Sequence, residues 1–228
     1  GFTRWLRVRC RASHDSSLAG FLTIAGNTRI MAFDQLHGVS RLNHETIIIL
    51  DFGSQYTQLI ARRVREQGVY CEIHPFHLSA EAINARRPKG VILSGGPSSV
   101  TDADAPRVAA DFYDRIDVPI LGICYGMQLV AVDLGGTSEP AARREYGAAT
   151  LKVLSGKTAL FNELPFELDV WMSHGDHVTR LPGGFTTTAT TGDVITAIEN
   201  EARSIYCVQF HPEVTHTPHG EDLIRNFL

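Results

Sequence analysis

The chain has 228 residues, 43% of them hydrophobic and 20% charged, with a formal net charge of -4. That is the make-up of a globular protein with one sizeable core. The mild negative balance offers no footing for a nucleic-acid surface, and no apolar run approaches the roughly 18 to 20 residues of a membrane span, so neither nucleic acid nor membrane is expected as a partner.

Residues 1–43 stand apart. They carry six arginines, no lysine and only two acids, Asp15 and Asp34, and they show no sustained helical or strand period. We expect an extension outside the core, with the acid-poor composition of either a transit peptide or an upstream segment. The folded domain is expected to span 44–228.

From residue 46 the pattern becomes regular. Ile47 to Leu50 is a continuous apolar run suited to a strand buried on both faces, and Tyr56 to Gln67 follows with Leu59, Ile60 and Val64 at helical spacing. Val69 to Ile73 reads as a strand, Ala80 to Ala85 as a helix, Gly90 to Ser94 as a strand, and the stretch from Arg107 to Arg115 as a helix. A strand then ends at Cys124 and a helix runs from Tyr125 to Leu134. Strands alternating with helices predict an α/β fold, mainly an open parallel sheet with helices on both faces.

Past Leu134-Gly135-Gly136 the rhythm changes to short strands, at Ala149 to Leu154, Asp169 to Met172, Thr186 to Thr190, Ile195 to Glu199 and Ile205 to Phe210. These are expected to be antiparallel additions to the C-terminal half. A last helix from Gly220 is expected to run on past Leu228.

Functional groups of open parallel sheets gather beyond the carboxyl ends of the strands. Three segments fall there: Ser94-Gly95-Gly96-Pro97, Gly122-Ile123-Cys124-Tyr125-Gly126 and Gln209-Phe210-His211-Pro212-Glu213. Gly-x-Cys-x-Gly has the form of a nucleophile elbow, in which small neighbours permit a strained strand-to-helix turn. A cysteine attacks as its thiolate, and a free thiol with a pKa of about 8.5 is mostly protonated at neutral pH. A helix N-terminus and a nearby imidazole both favour the thiolate. His211 is the candidate imidazole, Glu213 the group that orients it, and the backbone N–H groups of Gly96 and Tyr125 a candidate oxyanion hole.

LGICYGMQL, SGGP and VQFHPE together resemble the class I, or triad, glutamine amidotransferases, of flavodoxin-like fold. DFGSQYTQLIARRVRE at 51–66, ILSGGPSSV, RREYG at 143–147 and WMSHGDHV at 171–178 are similar to the glutaminase domain of GMP synthase within that family. The resemblance implies hydrolysis of glutamine to glutamate and ammonia through a cysteinyl thioester. Cys124 would be the nucleophile, His211 the general base and acid, and Glu213 its partner. Gln128 would contact the substrate, and Ser173, Gly175 and Asp176 match the loop that holds its amino and carboxylate groups. Arg143 is a departure, since the subfamily has His before Arg-Glu-Tyr-Gly.

The resemblance also implies a partner, the ATP pyrophosphatase domain of GMP synthase, in cis or in trans. Its Ser-Gly-Gly-x-Asp-Ser phosphate loop is absent from this sequence, so no cofactor is expected on this chain, and ATP and Mg belong to that domain. Cys10, Cys71, Cys124 and Cys207 lie far apart, which suits reduced thiols in a cytoplasm. Neither Cys71, His74 and His77 nor His211, His216 and His219 has the second paired set of a structural zinc site, and no metal is expected. Two other readings stay open: the glutaminase of another ammonia-using pathway, such as anthranilate or carbamoyl phosphate formation, and a non-catalytic regulatory homologue.

Overall fold

The computed structural model describes residues 45–154 and 158–228, with backbone alone at 142–144. The expected extension 1–43 lies outside the described residues. Nine described strands form one sheet: β1 (Thr46–Asp51), β2 (Tyr70–Pro75), β3 (Gly90–Leu93), β4 (Ile120–Ile123), β5 (Thr137–Val153), β6 (Glu167–Arg180), β7 (Thr186–Thr191), β8 (Val194–Asn200) and β9 (Ile205–Val208). Five helices accompany them: α1 (Thr57–Glu66), α2 (Ala80–Asn84), α3 (Phe112–Arg115), α4 (Tyr125–Asp133) and α5 (Gly220–Phe227). No described helix is long and apolar enough to cross a membrane.

The strand order is β2-β1-β3-β4-β9-β8-β7-β5-β6. The pairings from β2 through β9 are parallel, and those from β9 through β6 are antiparallel. The expected α/β architecture is therefore present, with the antiparallel extension built by the C-terminal half of the chain.

Strand alternation decides what each helix covers. Ile47, Ile49, Ile92, Leu121 and Ile123 point to the face closed by Ile60, Ala61 and Val64 of α1 and Leu223 and Ile224 of α5. Ile48, Leu50, Val91, Leu93 and Ile120 point to the opposite face, closed by Ala80 and Ile83 of α2, Phe112 of α3 and Met127 to Ala131 of α4. Burial on both faces explains why these strands read as unbroken apolar runs. Each such aliphatic side chain, enclosed completely, contributes about 1.5–3 kcal/mol. α4 is buried all round from Tyr125 to Ala131, so its sequence carries no polar stripe.

Three expectations change in detail. The helix predicted over 107–115 is reduced to Phe112–Arg115, while the Arg107 guanidinium reaches the Val100 carbonyl at 2.8 Å and Asp133. The strands at 149–154 and 169–172 are parts of a long hairpin, with β5 17 residues long and β6 14. Finally, 171–178 is strand rather than loop, although its register shifts: Pro140 faces Asp176 and Glu145 faces His174, so residues 141–144 bulge out opposite Gly175.

Candidate active site

β4 delivers Cys124 onto the N-terminus of α4 through a backbone that few residues tolerate. Cys124 has φ 54° and ψ -104°, outside the regions open to ordinary L-residues. The turn is tight enough to exclude side chains on both flanks. A Cβ on Gly122 would lie 2.8 Å from the Gly126 carbonyl oxygen. The strain lifts Sγ clear of the strand, while the Cys124 N–H stays in the ladder, donating to Val208 of β9 at 2.8 Å.

That ladder bond brings the next segment into place. Immediately beyond β9, Gln209 N–H bonds the Thr196 carbonyl at 2.8 Å, and His211 follows as the chain leaves the sheet. The His211 loop is strapped to β6 twice: its N–H donates to the Trp171 carbonyl at 3.1 Å, and its carbonyl accepts from Thr217 Oγ1 at 2.7 Å, which itself accepts from Trp171 N–H at 3.1 Å. His211 and Glu213 are buried, and Nδ1 lies 2.8 Å from Glu213 Oε1. The carboxylate can only accept, so Nδ1 carries hydrogen and Nε2 is left free to exchange a proton with the neighbouring Cys124.

Charge follows geometry here. Burial alone would lower the proton affinity of the His211 ring, but hydrogen bonds and charge from Cys124 and Glu213 outweigh it and raise the pKa to about 10. A ring held cationic at neutral pH is the counter-charge a reactive thiolate needs.

The third predicted segment closes the site. Ser94 is buried, and its hydroxyl accepts from Phe52 N–H at 3.0 Å and donates to the Gly95 carbonyl at 2.8 Å, joining the ends of β1 and β3. A Cβ placed on Gly95 would sit 3.2 Å from His211 Cε1 and 3.6 Å from Cys124 Cβ, and one on Gly96 would sit 3.4 Å from the Tyr125 ring. Gly96 therefore packs against the Tyr125 side chain. The first N–H groups of α4 have no partner within the helix, which leaves that of Tyr125 free for a substrate oxygen.

Of the predicted substrate residues, Ser173 meets the nucleophile: its carbonyl oxygen is 3.7 Å from Cys124 Sγ. Gln128 is buried and its amide nitrogen is engaged, donating to the Asp176 carbonyl at 2.8 Å and to Gln209 Oε1 at 3.3 Å. Gln128 therefore braces Asp176 with its Nε2. The Asp176 carboxylate receives the hydroxyl of Ser99, which ties β6 to the loop after β3.

Residue-by-residue reading missed several neighbours. The Tyr56 ring stands edge-on to the His211 imidazole with centroids 5.1 Å apart. Tyr56 is placed by the DFGSQY turn, in which Asp51 Oδ1 accepts from Gly53 N–H at 2.9 Å and Thr57 Oγ1 at 2.7 Å, and Ser54 Oγ accepts from Tyr56 N–H at 3.0 Å. Thr217, Ser99, His174 and Glu145 were also missed. The quoted motifs contain most of them; nothing local marks Thr217.

Other described cysteines and histidines make local packing and hydrogen-bond contacts. Burial raises the Cys71 thiol, which donates to the Ala61 carbonyl at 3.4 Å, and pushes Cys207 to about 12. His74 bonds Glu72 at 2.8 Å, His216 packs on Trp171 with ring centroids 4.5 Å apart, and His219 bonds Asp222 at 3.1 Å. Among the described residues no three such side chains converge as a metal site would require.

Comparison with known proteins bears on the whole arrangement. Residues 48–228 match the family model for class-I glutamine amidotransferases. The chain is 54% identical over 191 residues to "GMP synthase [glutamine-hydrolyzing]" of Bacillus thuringiensis strain Al Hakam, covering 83% of this chain and 37% of the relative. It is 55% identical over 186 residues to the Bacillus anthracis protein of that name, covering 81% and 36%. The chain thus spans little more than a third of the length of these relatives. Among solved structures it resembles a Thermoplasma acidophilum protein assigned as one subunit of GMP synthase, with TM-score 0.74, 34% identity and coverage of 81% and 92%. A Thermotoga maritima glutamine amidotransferase shares the fold, at TM-score 0.60, 21% identity and coverage of 75% and 77%. With its elbow, its His-Glu pair and its sheet all in register with that likeness, the chain belongs to the class-I glutamine amidotransferase family.

Proposed function

We propose that this chain hydrolyses glutamine to glutamate and ammonia and supplies the ammonia for amination of XMP to GMP. One observation carries the reading: a strained Cys124 on a helix N-terminus, close beside a buried His211 that Glu213 holds at 2.8 Å.

Cys124 Sγ attacks the side-chain amide carbon of glutamine, forming a C–S bond, and the carbonyl oxygen becomes an oxyanion received by the N–H groups of Gly96 and Tyr125. The oxyanion collapses, the C–N bond breaks, and the imidazolium of His211 gives its proton to the departing amine, releasing ammonia and leaving a thioester. Water then attacks the thioester carbon while neutral His211 takes its proton, the C–S bond breaks, and glutamate leaves with the thiolate restored. Ser173, Gly175, Asp176 and Gln128 hold the α-amino and α-carboxylate groups, which fixes the amide over Sγ.

The acceptor side rests on the relatives' names and on the fraction of their length that this chain spans. The partner is an ATP pyrophosphatase domain of GMP synthase, which would hold the ATP and Mg this chain needs none of, and the place of action is the cytoplasm. Free-running hydrolysis would waste glutamine, so partner contact is the natural control on rate. Glutamate release by this chain should rise at least about tenfold, roughly 1.4 kcal/mol, when a nucleotide-loaded GMP synthase domain is added, with GMP formed only in the mixture. Stimulation by a different synthase instead would move the protein to another pathway. No glutamate release under any condition would leave a non-catalytic homologue.

A further inference from the structure

His174 takes no part in the steps above, yet it occupies an inward position of β6 and is 4% exposed. Its Nδ1 lies 3.0 Å from the Asp176 carbonyl oxygen. A carbonyl can only accept, so Nδ1 carries hydrogen. The same oxygen accepts from Gln128 Nε2 at 2.8 Å, so two donors from different elements hold one peptide group.

The bulge explains why they are needed. Gly175 has no register partner on β5, because the pairing jumps from Pro140 opposite Asp176 to Glu145 opposite His174. The ladder is interrupted at the segment that carries the substrate-holding residues, and a glycine at its centre adds backbone freedom. Side-chain hydrogen bonds replace the missing ladder bonds.

Glu145 backs the ring from β5. Its Oε2 stands 3.2 Å from His174 Nε2, within ion-pair distance but off the hydrogen-bonding direction, and neither atom has another hydrogen-bond partner among the described residues. Burial lowers the ring's hold on a second proton and the Glu145 charge opposes burial; the Nδ1–H bond to Asp176 is present in the neutral and the cationic ring alike.

We propose that His174 is a positioning residue for glutamine: braced by Glu145, it holds the Ser173 to Asp176 segment in the form that receives the substrate's amino and carboxylate groups. The proposal rests on the reading of that segment as the substrate holder.

Steady-state kinetics with glutamine, together with the rate of Cys124 alkylation by iodoacetamide, tests it. His174→Ala should raise KM about tenfold or more with kcat within about threefold and alkylation within about twofold, the pattern of lost substrate binding with intact chemistry. His174→Asn should bring KM back to within about threefold of the parent, because its amide N–H replaces Nδ1–H. His174→Gln places its amide nearer the Nε2 position and should leave KM raised, which keeps the comparison available if the alanine variant does not fold. An unchanged KM in His174→Ala, an asparagine variant no better than glutamine, or a loss of kcat and alkylation as large as the KM effect would overturn the proposal. Asp176→Ala separates the two claims: if it leaves KM unchanged, the substrate-segment reading fails and His174 loses its role with it; if it raises KM while His174→Ala does not, only the His174 role fails.

Discussion

Gly126 packs so closely beneath Leu93 that a Cβ on it would lie 2.5 Å from the Leu93 carbonyl oxygen and 2.9 Å from the Leu93 Cβ. This contact sets the height of α4 over β3, and with it the position of the nucleophile. Gly126→Ala pushes backbone against backbone, which no rotamer change relieves. We expect a destabilisation of about 1–3 kcal/mol, or roughly 2–4 °C in Tm for each kcal/mol at this size, with loss of glutaminase activity. Gly183→Ala, where a Cβ meets nothing within 4 Å, is the control in the same thermal melts. Equal Tm values for the two variants would show that α4 can slide.

The backbone strain at Cys124 predicts an inversion of the usual ranking of alanine above glycine. Both Cys124→Ala and Cys124→Gly lose the thiol and all hydrolysis, but only glycine is at ease at φ 54°, ψ -104°. The glycine variant should be the more stable by about 1 kcal/mol, measured by urea unfolding. An alanine variant of equal or greater stability would mean that the turn relaxes without cost.

Reactivity should be confined to one described thiol. Cys71 and Cys207 are buried with raised pKa values, Cys207 to about 12, whereas Cys124 faces the His211 ring and the candidate oxyanion donors. A glutamine-like diazo-ketone should alkylate Cys124 and spare both others, read by peptide mapping. Label found mainly on Cys71 or Cys207 would remove Cys124 from the mechanism.

His211 makes stability depend on pH with a definite sign. Its folded pKa of about 10 stands above the ordinary 6.5, so the folded state binds the proton more tightly. The resulting stabilisation is fully present below pH 6.5 and is lost as pH rises toward 10. Between pH 6.5 and 9 the effect is separable from that of Cys207, whose ordinary value is 9.0. The unfolding free energy of the parent protein should therefore fall over that interval more steeply than that of His211→Gln. Parallel curves would show that folding binds no net proton at this site.

The parallel half was legible because its strands are buried on both faces and its helices keep period. Ile47 to Leu50 and Ile60, Ala61 and Val64 announce their elements without help. The elbow was legible because Gly122 and Gly126 are steric necessities. The hairpin was not. In β6 the inward positions run Met172, His174 and then a bulge, so the apolar alternation that marks a strand stops at a buried imidazole satisfied from another strand. Pro140 and the register shift hide β5 in the same way. Thr217 was invisible because its role is fixed by Trp171 and His211, which only the fold brings beside it.

The place of β9 between β4 and β8 has a consequence for the order of assembly. Cys124 and His211 are 87 positions apart in the chain, and the bond from Cys124 N–H to Val208 joins them only when β9, the ninth described strand in chain order, enters the middle of the sheet. Contacts of such sequence separation form slowly, since loop-closure entropy is lost before they reward it. A chain still emerging from the ribosome can complete β1 to β4 and expose its thiol without any base beside it. On the proposed mechanism, hydrolytic competence waits for β9, and the strand that joins the two halves of the sheet also switches the chemistry on.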